Sequence, residues 1–191
     1  SDITEAKLAQ KKLLEEKARL ETATEAGKVA LWAWNISLNR LVWSDNVDSM
    51  LGYEKREIDL DFDTWFEAIH PDDKNQTNQM LENHIKYGIP YETIYRIRKK
   101  DGQYVWWHDV GNISKRNEDG IAVYMAGACV DITELKMAEE QTRKAQEFNA
   151  TILETIEALV IVLDTERRVV TFNKACEELS GWTASEIKGK D

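Results

Sequence analysis

Residues 91–111 read YETIYRIRKKDGQYVWWHDVG. Tyr91, Thr93, Tyr95 and Ile97 share one parity; Glu92, Ile94, Arg96 and Arg98 share the other. A period of two marks a strand with two unlike faces. Lys100, Asp101 and Gly102 supply a hairpin turn, where glycine adopts the backbone angles a tight reversal needs. Residues 103–116 continue as a second strand carrying Val105, Trp106, Trp107 and Val110. NEDG at 117–120 turns the chain again, and residues 121–130 form a third, almost wholly apolar strand. Three long strands joined by hairpins define an antiparallel sheet.

Working outward, residues 30–44 hold Leu31, Trp32, Trp34, Ile36, Leu41 and Trp43, which fit two short strands with Leu38, Asn39 and Arg40 at the turn. DNVDSMLGY at 45–53 predicts a short helix stopped by Gly52. Thr64–Ile69 predicts another helical turn. His70, Pro71, Asp72 and Asp73 break the chain and cap a helix over roughly 74–87, with Met80, Leu81, His84 and Ile85 near one side. The order β-β-α-α-α-β-β-β is an α+β arrangement: a five-stranded antiparallel sheet with helices on one face.

Both flanks are helical. Residues 3–27 contain no proline and no glycine before Gly27, with a weak heptad at Ala6, Leu13 and Leu20. That helix is either a dimer seam or lies on its own domain. Asp131 and Glu134 are spaced as a capping box for a helix over 132–157. Its seven-fold frame is Leu135, Ala138, Thr142, Ala145, Asn149, Ile152 and Ile156. Beyond it, residues 159–181 repeat the layout of 30–52 at an offset of 129 residues. Phe172 falls on Trp43, Leu179 on Met50, Gly181 and Trp182 on Gly52 and Tyr53, and Glu186 and Ile187 on Glu57 and Ile58. The expected division is 1–27, 28–131, 132–157 and 158–191. The last piece lacks the three long strands, so a partner or following residues are expected to complete it.

Composition narrows the function. The chain has 191 residues, a net charge of −10 and 42% hydrophobic residues. The acidic balance argues against a nucleic-acid partner. No apolar run is long enough for a membrane span, so no membrane contact is expected. Cys129 and Cys176 form no motif and fit a reducing, cytoplasmic compartment. The histidines at 70, 84 and 108 give no metal spacing, and neither a phosphate-binding glycine loop nor a nucleophile triad is found. The chain reads as non-enzymatic by itself, with no catalytic residue, metal or cofactor assigned.

The middle block resembles a PAS domain with its C-terminal PAC motif, the PAS fold-3 type. The resemblance rests on LVWSDNVDSMLGY at 41–53, TWFEAIHPDD at 64–73, YETIYRIRKKDGQYVWWHDVG at 91–111 and AGACVDITELK at 126–136. ETIEALVIVLD and FNKACEELSGWTASEIKGK, within 148–191, resemble the opening of a second such domain. The resemblance implies a bacterial sensory module that relays a signal through a helical linker to a downstream histidine kinase or diguanylate cyclase. A homodimer through the N-terminal and linker helices is implied with it. A ligand-free spacer or interaction module is the alternative, and a haem- or flavin-bearing sensor is another.

A small-molecule pocket, where such domains have one, lies between sheet and helices. The expected lining is Trp32, Trp34, Tyr95, Ile97 and Trp106 from the strands, with Met125 and Gly127. Leu81 and Ile85 come from the facing helix. The same tryptophans also suffice to fill a core without ligand. His84 is the one haem candidate. No asparagine–cysteine–arginine motif exists for a covalent flavin, which leaves a noncovalent flavin open. His70 is expected in a structural turn and His108 at the sheet surface. Trp106 matches the family's core aromatic, which leaves Trp107 to be covered by residues 3–27 or a second subunit. Asp131, Thr133 and Glu134 form the expected signal junction.

Overall fold

The computed structural model describes residues 2–190, with side chains from Ala6 onward. The chain divides into two compact units, residues 1–134 and 135–191.

The first unit contains α1 (Asp2–Ala26), β1 (Val29–Asn35), β2 (Arg40–Trp43), α2 (Val47–Met50), α3 (Phe62–Ala68) and α4 (Pro71–Tyr87). Then come β3 (Tyr91–Arg98), β4 (Tyr104–Arg116) and β5 (Ala122–Asp131). The five strands form one sheet in the order β2-β1-β5-β4-β3, antiparallel throughout. The alternation read from residues 91–98 is the burial pattern: Tyr91, Thr93, Tyr95 and Ile97 are buried. They meet Leu51, Leu60, Trp65, Ile69 and Leu81 from the helical side.

The HPDD turn ties α4 to β3. The His70 N–H donates to the Arg96 carbonyl at 2.8 Å. Arg96 donates to Asp73 from its backbone N–H at 2.9 Å, from Nε at 2.8 Å and from Nη2 at 2.7 Å. These bonds hold the Asp73 carboxyl below its ordinary range. At the other end of α4, Gly88 takes a φ of 69° and its N–H caps the His84 carbonyl.

Three sequence expectations are corrected. Trp107, not Trp106, is the core tryptophan: it is fully buried, 5.7 Å from the Trp43 ring and 6.4 Å from Tyr95. The register decides this, because Trp107 sits opposite Tyr95 and therefore shares its face. Trp106 lies half-buried on the other face, 5.2 Å from the Arg96 guanidinium. Nor does α1 cover a tryptophan. Its Leu8, Leu13, Leu14 and Leu20 are exposed, and Thr24 is its buried residue among those described. The capping box is also half realised. Asp131 accepts from the Thr133 N–H at 2.9 Å, but Glu134 reaches Lys28 Nζ at 2.7 Å instead of turning back.

The second unit takes most of α5 (Thr133–Thr155), then β6 (Ile161–Leu163), β7 (Val169–Phe172), α6 (Lys174–Ser180) and α7 (Ala184–Ile187). Its hydrogen bonds repeat those of the first unit at the offset of 129. Leu31 N–H donates to Ser44 Oγ at 2.9 Å, and Val160 N–H donates to Asn173 Oδ1 at 3.0 Å. Glu54 N–H bonds Glu57 at 2.8 Å, and Thr183 N–H bonds Glu186 at 2.9 Å. Gly52 and Gly181 close their helices at φ 79° and 77°. β6, paired only with β7, is exposed along its whole length.

Candidate functional site

The concave face of the first sheet carries a row of rings and a single carboxylate. Trp32 and Trp34 come from β1, Trp43 from β2, Phe62 and Trp65 from α3, Tyr91 from β3 and Asp109 from β4. With Leu41 and Leu81 they enclose a cavity of about 20 Å³. Trp34 stacks on Phe62 at 4.6 Å, and Trp32 meets Tyr91 edge-on at 6.2 Å. Trp32 reaches over the sheet because the residues in line with it on β5 and β4, Gly127 and then Gly111, have no side chain.

Asp109 is buried, and its carboxylate is held by neutral donors. Trp32 Nε1 donates to Oδ1 at 2.7 Å, and the hydroxyls of Tyr91 and Tyr95 donate to Oδ2 at 3.0 and 3.2 Å. Trp65 Nε1 in turn donates to the Tyr95 hydroxyl at 2.9 Å. Burial raises the Asp109 pKa to about 6, against the lowering pull of these donors. Burial likewise drives the Tyr91 and Tyr95 hydroxyls and the Cys129 thiol upward, so all three stay protonated near neutrality.

Of the residues expected around the pocket, Trp32, Trp34 and Leu81 line this cavity. Tyr95, Ile97 and Met125 are buried in the surrounding core, Ile85 packs against it, and Gly127 lies beneath Trp32. Trp106 does not belong, for the register reason above. Sequence reasoning missed Asp109, Tyr91, Leu41, Trp43, Phe62 and Trp65 as lining residues. The β4 alternation was the signal: with Trp107 inward, Asp109 and Gly111 must follow.

His84 is buried with both ring nitrogens engaged. Nδ1 lies 2.6 Å from the Ile89 carbonyl, and Nε2 accepts from the Ile113 N–H at 3.2 Å. This fixes the tautomer with the proton on Nδ1. An iron ligand would have to surrender the Ile113 bond, and the cavity is far smaller than a porphyrin or an isoalloxazine. Neither haem nor flavin fits the site as built. His70 caps α4 by accepting from the Asp72 N–H at 3.2 Å, and His108 pairs with Glu92 at 2.8 Å on the outer face.

Of Asp131, Thr133 and Glu134, Thr133 is the one that reaches Trp106. The Thr133 hydroxyl accepts from the Trp106 N–H at 2.9 Å, and the Ile132 N–H donates to the Trp106 carbonyl at 2.9 Å. Lys28, just before β1, accepts the Asp131 N–H at its carbonyl and reaches Glu134 with its ammonium. The first turn of α5 is thus bonded to β4 and to the residue that precedes β1. No described helix is long and apolar enough to cross a membrane.

A sheet of this order, with short helices over one face and a helix leaving from its last strand, is the architecture of a sensory fold. The PAS fold matches residues 40–129 and again residues 147–191, together more than half of the chain. The chain belongs to the PAS family. It is 25% identical, over 98% of its length, to the "Probable diguanylate cyclase DgcE" of Escherichia coli. It is also 25% identical, over 85% of its length, to the "Sensor protein FixL" of Bradyrhizobium diazoefficiens. The chain spans 17% and 32% of those proteins. Among solved structures, a sensory box histidine kinase/response regulator from Burkholderia thailandensis aligns with a TM-score of 0.59 at 29% identity. That alignment covers 68% of this chain and 95% of the other.

Proposed function

We propose that the chain is a sensory and dimerising module whose core state is relayed through a helical linker to a downstream output domain, a histidine kinase or a diguanylate cyclase. Residues 28–131 are the sensing domain in this reading, 1–27 and 132–157 the dimerising helices, and 158–191 the opening of a second domain. The cytoplasm is its place, and the chain itself performs no catalysis. The observation that carries the reading is the bonding of Thr133 and Ile132 to Trp106. Trp107, the next residue, packs in the core, so a shift of β4 moves the root of α5. A coiled coil has discrete registers, so a small displacement can select one of two arrangements. The names of the relatives, a probable diguanylate cyclase and a sensor protein, agree with such an output.

Cys129 and Cys176 are both buried, so a cysteine placed at Ala145 is the accessible labelling site. Spin labels there should give one narrow inter-copy distance in the native chain and a shifted one in Trp32→Phe. Absence of an inter-copy distance overturns the dimer, and an identical distance in both overturns the relay.

A ligand-free spacer is the second reading, favoured by the smallness of the cavity. It expects the same distance in both proteins.

A further inference from the structure

We propose that Asp109 is a proton switch: ionised, it is held by the donors around it, and protonated, it donates to the Thr93 hydroxyl. The inference rests on the sensory reading above and makes acidity the signal of the core.

The hydrogen bonds around Asp109 are complete for one state and open for the other. Its partners donate: the Trp32 indole to Oδ1, and the Tyr91 and Tyr95 hydroxyls to Oδ2. An ionised carboxylate needs donors alone. A protonated carboxyl is itself a donor and needs an acceptor, which an indole N–H cannot be. Thr93 supplies one. It stands opposite Asp109 in the β3–β4 ladder, both side chains are buried, and its hydroxyl has no hydrogen-bond partner. A buried hydroxyl without a partner costs free energy, and protonation of Asp109 relieves that cost. Each state of the carboxyl thus satisfies a different set of groups.

No neighbouring element pins the charge in place. β5 brings Cys129, the other cross-strand partner of Asp109. β2 and α3 bring the rings of Trp43 and Trp65. α4 brings Leu81 and His84, whose ring lies 6.4 Å from Tyr91 and whose two nitrogens are both bonded to backbone groups. No lysine or arginine is buried among the described residues. A buried anion without a counter-charge takes up a proton more readily than one in water, and burial raises the Asp109 pKa to about 6. A modest acidification therefore changes its state.

The path outward is short. Asp109 lies three residues from Trp106, whose N–H and carbonyl are bonded to Thr133 and Ile132. Protonation turns the charge-assisted bonds from Tyr91 and Tyr95 into weaker neutral ones and adds a bond to Thr93, on the same strand β3. β4 is thus both the strand on which the bonding changes and the strand that holds the first turn of α5.

The test titrates the native chain from about pH 4 to about pH 8, reading the infrared band of the protonated carboxyl and the Trp32 indole N–H resonance. The two should share one midpoint at about pH 6, and Asp109→Asn should remove both transitions. Thr93→Val keeps the shape and takes away the acceptor of the neutral form. Its midpoint should fall by about one unit, a roughly tenfold weaker hold on the proton. Tyr91→Phe takes a donor from the ionised form, so its midpoint should rise. The proposal is overturned by a native chain without a transition, by a midpoint that Thr93→Val leaves unchanged or raises, or by one that Tyr91→Phe does not raise. Should Asp109→Asn fail to fold, the opposite shifts of the other two variants still decide. A spin-label distance at residue 145 that ignores pH while Asp109 titrates rejects the relay alone. A distance that shifts with pH while Asp109 does not titrate rejects the switch and leaves the relay standing.

Discussion

Trp32 occupies the space a side chain at Gly127 would need: a β-carbon built on Gly127 lies 2.4 Å from Trp32 Cζ2 and 2.1 Å from the Val110 carbonyl oxygen. At Gly111 the same ring is met at 2.6 Å, with Met125 Cε at 3.1 Å and no backbone among the three nearest atoms. A backbone oxygen cannot yield as a side chain can. Gly127→Ala should therefore cost more than Gly111→Ala, about 3 kcal/mol or more against 1–2. Urea unfolding of the two variants checks the order, and equal costs would show that Trp32 swings away freely.

Asp109 gives the core a pH dependence with a definite sign. Its pKa is raised from an ordinary 3.8 to about 6. Between those values the folded chain holds a proton that the unfolded chain has released. This group's contribution to stability is thus present below about pH 4 and lost as the pH rises through about 6. The loss is on the order of 3 kcal/mol. Asn carries no charge, so the stability of Asp109→Asn relative to the native chain should improve by that order between pH 4 and 7. A constant difference across denaturation curves in that range would contradict the assignment.

The fold was legible where the pattern was strong. Alternation in residues 91–98 and turns at Gly102 and Gly120 define the sheet, and the spacing of 129 anticipates hydrogen bonds made by Ser44 and Asn173 alike. The candidate site was less legible, because a tryptophan pair satisfies either parity. Only the pairing of Tyr95 with Trp107 settles which ring enters the core, and cross-strand register is not written in a single strand. Asp109 was hidden for the same reason. An acid in a strand reads as surface until three donors from β1 and β3 are seen to surround it. Glu134 satisfies the capping-box spacing, yet its partner is Lys28, distant in sequence and adjacent through the pairing of β1 with β5.

His84 joins α4 to two backbone groups, the Ile89 carbonyl and the Ile113 N–H. His84→Ala would remove both bonds, to the exposed Ile89 and the partly buried Ile113, and should destabilise the domain by about 1–2 kcal/mol. His84→Gln, which offers a donor and an acceptor, should recover part of the loss. Nitrogen NMR of the native chain should show the proton on Nδ1. A mixture of tautomers, or a harmless His84→Ala, would mean that these bonds do not form in solution.

Thr133 bonds the first turn of α5 to β4, and this bond can be tested apart from general stability. Its hydroxyl is the acceptor for the Trp106 N–H, while the neighbouring Ile132–Trp106 bond is independent of any side chain. Thr133→Val keeps the shape and removes the acceptor. The first turn of α5 should then open more often, by roughly tenfold for about 1.4 kcal/mol lost locally. Hydrogen exchange should accelerate at Lys136, Met137 and Trp106, and remain unchanged at Tyr95 and Ile97 in the core. Thr133→Ser should restore protection because it restores the oxygen. Faster exchange everywhere would make Thr133 an ordinary stability residue. Unchanged exchange at the first turn would mean that the Lys28–Glu134 pair and the Ile132 bond suffice to hold the helix to the sheet.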